Sequence, residues 1–297
     1  MKLVTFRAGE ALRLGALGAD GVLDLGKAAA AAGKSLPDSM LGLIDGGDAA
    51  LATVRAVLDG AQGKKDHWLP ATTRLAAPIP HPRKNVFCVG QNYKAHIAEM
   101  ARSFGREPVY PKYTQYFTKP WTTVVGDGDG VKRHAEHTQR LDYEVELAVV
   151  IGKTALNVPA DKALDYVFGY TVVNDVTARD AQTNHGQFFK GKSFDTFCPM
   201  GPCIVTKDEF GAPGGHRLWL TVNGKTRQDS NTSDLLFGVP EIIANLCAAL
   251  TLEPGDVIAT GTPSGVAAGM KEPGFLQTGD EVVASVEGIG SLTNRIV

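Results

Sequence analysis

The segment Leu141-Asp142-Tyr143-Glu144-Val145-Glu146-Leu147-Ala148-Val149-Val150-Ile151-Gly152 constrains this chain more than any other. Its second half is too apolar for a surface loop and reads as a strand. Side chains alternate along a strand with a period of two. Glu144 and Glu146 therefore share one face, and Val145 takes the other. Two carboxylates side by side repel and resist burial. A divalent cation between them removes that cost, and hard oxygen donors suit Mg²⁺, Mn²⁺ or Ca²⁺ rather than zinc. A third carboxylate, Asp175, emerges at the rim of another apolar run, Val167-Phe168-Gly169-Tyr170-Thr171-Val172-Val173-Asn174. The plainer readings are a solvated strand edge for Glu144 and Glu146, and a turn or helix cap for Asp175.

Around this segment the chain reads as α+β, mainly β. Leu3 to Leu25 reads as short strands with a Gly18-Ala19-Asp20-Gly21 turn. Alanine-rich helices follow near 28–32 and 49–58. Pro78, Pro80 and Pro82 hold the chain extended. A domain boundary is placed just before them, giving a small α+β N-terminal domain, 1–75, and a catalytic domain, 76–297. Further strands are expected at 85–90, 143–151, 167–174, 218–222, 257–260 and 281–286, with one strong helix at 239–250. This is not a regular βαβ alternation.

Bulk properties exclude several classes. With 297 residues, 43% hydrophobic, the chain buries a core without disulfides, and a net charge of −2 points to neither nucleic acid nor a membrane surface. Cys88, Cys198, Cys203 and Cys247 form no CxxC pair. The N-terminus has no long apolar segment, and no run of ~20 apolar residues could span a bilayer. A reduced, cytoplasmic protein is the expectation.

Candidate catalytic groups lie on either side of the carboxylates. His96 and Glu99, three apart, share a face if Tyr93 to Met100 is helical, and a carboxylate beside an imidazole makes a general base. The following stretch, 101–112, reads as a candidate lid. Lys192, among aromatics, is placed to hold a substrate carboxylate or face an enolate. Thr262, in the Gly261-Thr262-Pro263-Ser264-Gly265 turn, offers a hydroxyl and backbone N–H groups to a carboxylate. Each has a plainer reading: a helix-surface pair, an ordinary loop, a snorkelling lysine. His134 and His137 flank Glu136 in a polar stretch that reads as a solvated loop.

Taken together, VGQNYKAHIAEM, YFTKP, DYEVELAVVIGK, GYTVVNDVTARDAQ, KGKSFDTFCPMGP, VNGKTRQ, LEPGDVIATGTPSGV and FLQTGD resemble the fumarylacetoacetate hydrolase family over about residues 84–297. The resemblance implies a catalytic domain of mixed β-sandwich or β-roll type behind a small N-terminal domain, and a homodimer. It implies Mg²⁺ or Mn²⁺ on Glu144, Glu146 and Asp175, an active-site lysine at Lys192, and the dyad at His96 and Glu99. Lys119, Gln182, Thr262, Tyr93 and Arg179 become candidate substrate-binding residues. The implied substrate is a small 2-oxo or enol carboxylic acid, of the kind met in aromatic catabolism. The first expectation is hydrolysis of the C3–C4 bond of an acylpyruvate through a cation-stabilised enolate, with His96–Glu99 activating water. Isomerisation or tautomerisation of a hydroxymuconate-type acid, decarboxylation of oxaloacetate, and non-catalytic binding of a small acid are the alternatives. The lid looks longer than in the shortest members, with an extra Arg102-Ser103-Phe104-Gly105-Arg106, so substrate identity transfers least safely.

Overall fold

The computed structural model describes residues 1–297. The chain opens with an antiparallel meander, β1 (Lys2–Ala8), β2 (Ala11–Gly18) and β3 (Gly21–Asp24). Asp24 then caps α1 (Leu25–Ala31), its carboxylate accepting from the Lys27 N–H. Ser39 does the same for α2 (Met40–Asp45), a helix too short to announce itself by periodicity. In α3 (Gly47–Ala61), Leu51, Val54, Val57 and Ala61 recur at helical spacing and form the buried stripe.

The remaining elements carry the site. They are β4 (Val86–Gly90), α4 (Lys94–Ser103), β5 (Gln115–Lys119), β6 (Val145–Ile151), β7 (Val167–Asn174), α5 (Arg179–His185), α6 (Phe188–Lys192) and β8 (Cys198–Thr206). After them come β9 (Arg217–Val222), β10 (Lys225–Asn231), α7 (Val239–Leu246), β11 (Val257–Ala259), β12 (Glu281–Val286) and β13 (Gly290–Ile296). A twelve-stranded sheet runs β3-β2-β1-β8-β7-β6-β11-β4-β5, with short strands at its margins. A five-stranded sheet, β10-β9-β12-β13 plus Gly130–Val131, packs beside it. The fold is mixed and strand-rich, as the sequence pattern predicts.

The N-terminal strands belong to the same sheet as the site. β1 pairs antiparallel with β8, Lys2 opposite Val205 and Leu3 opposite Ile204. One cluster of 27 buried residues takes members from Leu3 through Ala61 and from Ala77 through Ala259. A larger cluster of 43 fills the space between the two sheets. β6 is buried along its whole length, and its residues split between these clusters: Leu147, Val149 and Ile151 join one, Ala148 and Val150 the other. Glu146 therefore lies on the face of Ala148 and Val150.

Several elements depart from expectation: β5, β10, β13, α5 and α6 form where the sequence pattern marks none. The helix expected over 239–250 ends at Leu246, with Ala249 in the left-handed region at φ 59°. β8 goes unpredicted because Pro199, Gly201 and Pro202 hide its strand signal; it is tolerated where the register against β7 shifts between Tyr170 and Val172.

Candidate active site

The register of two strands brings the carboxylates together. β6 and β7 pair with Val145 opposite Asn174 and Glu146 opposite Val173. One step further, the Asp175 N–H donates to the Glu144 carbonyl at 2.8 Å, setting those two residues opposite each other. Glu146 is then the diagonal neighbour on the same face. Carboxylate oxygens of Glu144, Glu146 and Asp175 lie within 4.8 Å of one another, and all three residues are buried.

Buried like charges at that spacing need compensation. Lys192 Nζ donates to Glu144 Oε2 and to Asp175 Oδ2, both at 2.7 Å. Arg179 Nη2 donates to the other Glu144 oxygen at 2.7 Å. Lys119 Nζ donates to Asp175 Oδ1 at 2.5 Å and to the Val176 carbonyl at 3.1 Å. Burial pushes the Glu144 carboxyl up, but Lys192 and Arg179 outweigh it and hold it at about 2. Burial also opposes the Lys192 ammonium, and Asp175 and Glu144 outweigh that and raise it.

Glu146 is the exception. Its Oε2 accepts from the Gly261 N–H at 2.8 Å, and no cationic side chain touches it. Burial, then Asp175 and Glu144, push it well above the ordinary value of 4.5. Lys192, Arg179 and Lys119 all serve Glu144 and Asp175, and none of the three hydrogen-bonds Glu146. This donor set fits a hard divalent cation held by Glu144, Glu146 and Asp175.

A cavity of 620 Å³ opens beside the cluster, lined among others by His96, Glu144, Glu146, Gln182, Lys192 and Thr262. Arg179 lines it too, while Val89, Ile97, Met100, Phe104 and Phe117 form an apolar wall. α4 carries His96 and Glu99 on one face, as their spacing predicts. The imidazole Nδ1 is 3.6 Å from Glu99 Oε2, too long for a hydrogen bond, and has no other partner. Glu99 is held instead by the Gly265 N–H, 3.0 Å from each of its oxygens. Gly265 has φ +104°, and a Cβ there would lie 2.0 Å from the Arg227 carbonyl oxygen, so only glycine fits this donor.

The other expected residues divide. Gln182 accepts from Arg179 Nη1 at 3.3 Å. The Thr262 hydroxyl donates to the Val145 carbonyl at 3.0 Å and accepts from Gln228 at 2.9 Å, so it braces the turn while facing the cavity. Lys119 and Tyr93, expected at the substrate, are not in the cavity wall. Lys119 is fully buried behind Asp175, and Tyr93 packs in the main core with its hydroxyl unpartnered. Their place is to orient a carboxylate and to fill the core. His134 sits against Phe194 and Phe197, its Nε2 3.1 Å from the Asp195 carbonyl, and His137 is exposed; they build no metal site.

Two site residues, Asp142 and Gln228, escaped the sequence reading. Asp142 is fully buried, and its carboxylate accepts from Arg179 Nε at 2.9 Å and from the Ala267 and Ala268 N–H groups at 2.8 and 3.0 Å. It ties the arginine that holds Glu144 to the turn after Gly265. The signal was there: Asp142, Glu144 and Glu146 alternate with the same period. The Gln228 Oε1 accepts from the Val145 N–H at 2.9 Å.

Fold and site together define an α+β protein with three clustered, buried carboxylates beside a histidine in one cavity. Residues 85–297 match the family described as fumarylacetoacetate (FAA) hydrolase, C-terminal, and the chain belongs to that family. It is 45% identical over 268 residues to oxaloacetate tautomerase YisK of Bacillus subtilis (strain 168), covering 89% of this chain and 88% of that protein. It is 42% identical to the solved fumarylacetoacetate hydrolase (EaFAH) from psychrophilic Exiguobacterium antarcticum, with a TM-score of 0.82 over 100% of this chain and 99% of that one. It is 31% identical to maleylpyruvate hydrolase from Sphingobium sp. SYK-6, solved in complex with manganese(II) ion and pyruvate, with a TM-score of 0.77 over 100% and 99%.

Proposed function

We propose that this chain is a divalent-cation-dependent enzyme that interconverts the keto and enol forms of a short 2-oxo dicarboxylic acid of the oxaloacetate type. The observation that carries this reading is the cavity lined together by Glu144, Glu146, Lys192 and His96. Mg²⁺ or Mn²⁺ on Glu144, Glu146 and Asp175 would supply Lewis-acid stabilisation of charge on the 2-oxygen. Lys192, bridged between Glu144 and Asp175, faces that charge as a fixed cation. Arg179 and Gln182 fix the substrate's oxygens. The His96 imidazole takes the C3 proton and delivers it to the 2-oxygen to give the enol, the reverse transfer regenerates the keto acid, and no water has to be activated. Glu99, held by Gly265, is not hydrogen-bonded to the imidazole, which suits proton shuttling better than a water-activating dyad. The 45% identity to an oxaloacetate tautomerase supports the same choice.

The cavity's apolar wall favours a second reading, hydrolysis of the C3–C4 bond of an acylpyruvate. A four-carbon diacid leaves much of 620 Å³ unfilled, and an acyl chain would lie along Phe104 and Phe117. That reaction needs Glu99 to close on His96.

The two readings separate in one assay. Oxaloacetate, acetylpyruvate and fumarylpyruvate are each mixed with protein and Mg²⁺. Enol absorbance is followed directly, and pyruvate through a coupled dehydrogenase. Cation-dependent equilibration of oxaloacetate enol, faster than with His96→Ala and without pyruvate, is the expected result. Rapid pyruvate from an acylpyruvate would establish the second reading, and pyruvate from oxaloacetate would make the chain a decarboxylase.

A further inference from the structure

A second cavity, of 640 Å³, lies behind α4. Its walls are the end of α4, the start of α5, Arg140 ahead of the carboxylate strand, and the loop from Ala268 to Pro273. Arg179, Gln182 and Thr183 line both this cavity and the active-site cavity, so the two adjoin.

Its charge is one-sided. Arg102, Arg140, Arg179 and Lys271 face a single carboxylate, Glu99. Glu99 is held by the Gly265 N–H, and Arg179 is paired with Asp142 and Glu144. Arg102, Arg140 and Lys271 take part in no ion pair; the Arg140 guanidinium lies over the Phe275 ring, 5.1 Å from its centroid. Three free cations around one concavity repel each other and focus a positive potential into it.

We propose that this cavity is a binding site for a small polycarboxylate, distinct from the cation site. The cations come from three separate segments and are spread around a space large enough for a ligand with several carboxylates. α4 turns its C-terminal end, Arg102 and Ser103, to this cavity. Arg102 rides on the same helix as His96 and Glu99, whereas Arg140 and Lys271 belong to the body. A polycarboxylate that bridges them holds the catalytic helix in place. This assignment stands whichever reaction the active site performs.

The test uses the full-length protein stripped of cations on a chelating resin and titrated with tricarballylate by calorimetry at low ionic strength. Without a divalent cation, binding at the carboxylate cluster is suppressed, so the heat reports the second cavity. The expected result is saturable binding of one tricarballylate per chain. Arg140→Gln with Lys271→Gln weakens it by about tenfold or more, the loss of charge-assisted hydrogen bonds, and Glu146→Gln leaves it intact. Each exchanged side chain is exposed, so the double variant keeps its fold. The proposal is overturned by absent saturable binding, by equal binding to the double variant, by loss in Glu146→Gln, or by inorganic phosphate binding as tightly as tricarballylate.

Discussion

Asp142 and Glu146 show how much one carboxylate can decide. Glu146 is buried, crowded by Asp175 and Glu144, and without a cationic hydrogen-bond partner. Asp142 is buried and fully satisfied, and through Arg179 it fixes Glu144. Asp142→Asn keeps the shape but strips Arg179 of a buried charge partner. We expect about 3 kcal/mol lost in urea unfolding, with kcat falling and KM for the acid rising as Arg179 drifts; a change within ~0.5 kcal/mol, the size of an ordinary surface substitution, would contradict the network. His96→Ala should lower kcat by about a hundredfold or more, the usual worth of a positioned acid–base group, while Mn²⁺ affinity stays as in the parent. Unchanged turnover would remove His96 from the chemistry. The clustering of the three carboxylates was legible in the sequence because strand alternation is rigid. The true places of Lys119 and Tyr93 were not, because a motif fixes a residue's neighbours in sequence and not which side of Asp175 the chain passes.

At the scale of elements, the site depends on register and on close approaches. β6 and β7 were readable as apolar runs, yet only their pairing, Val145 with Asn174, shows why Asp175 joins the glutamates. β8 was hidden by its prolines, and α2 by its length. α4 docks on the turn after Gly265, where a Cβ on Gly269 would lie 2.4 Å from Glu99 Cδ. Gly269→Ala should therefore push away Glu99, and with it α4 and His96, and lower kcat several-fold with little change in cation affinity. α5 is anchored by Asp180, which accepts from Thr138 Oγ1 at 2.5 Å and from the Gln139 N–H at 2.8 Å. Burial pushes Asp180 up, but these donors and the Ala181 N–H outweigh it and hold it below the ordinary 3.8. Its contribution is thus present above that value and lost as pH falls through the lower, folded one. Asp180→Asn should cost about 1 kcal/mol at neutral pH, and the gap to the parent should close in more acidic solution. A gap that persists unchanged at low pH would show that the charge is not what matters.

Across the whole molecule, the N-terminal residues are part of the sheet that carries the site. They show no catalytic motif, and their sequence does not reveal that β1 lies against β8. Removing residues 1–75 would bare the strand edge of β8 and the faces of Ile79, Val86, Phe168 and Ile204, which share a core with Leu3, Leu14 and Val54. The remainder should be insoluble rather than a smaller active enzyme, and a soluble, cation-binding fragment would contradict the shared core. No helix of the molecule is long and apolar enough to cross a membrane. The reaction assignment rests on a cation held by three carboxylates, and that claim is the one to test first. Calorimetric titration of Mn²⁺ into the stripped protein should give one site per chain, weakened at least about tenfold, or ~1.4 kcal/mol, in Glu146→Gln. Equal Mn²⁺ affinity in the parent and in Glu146→Gln would contradict the account.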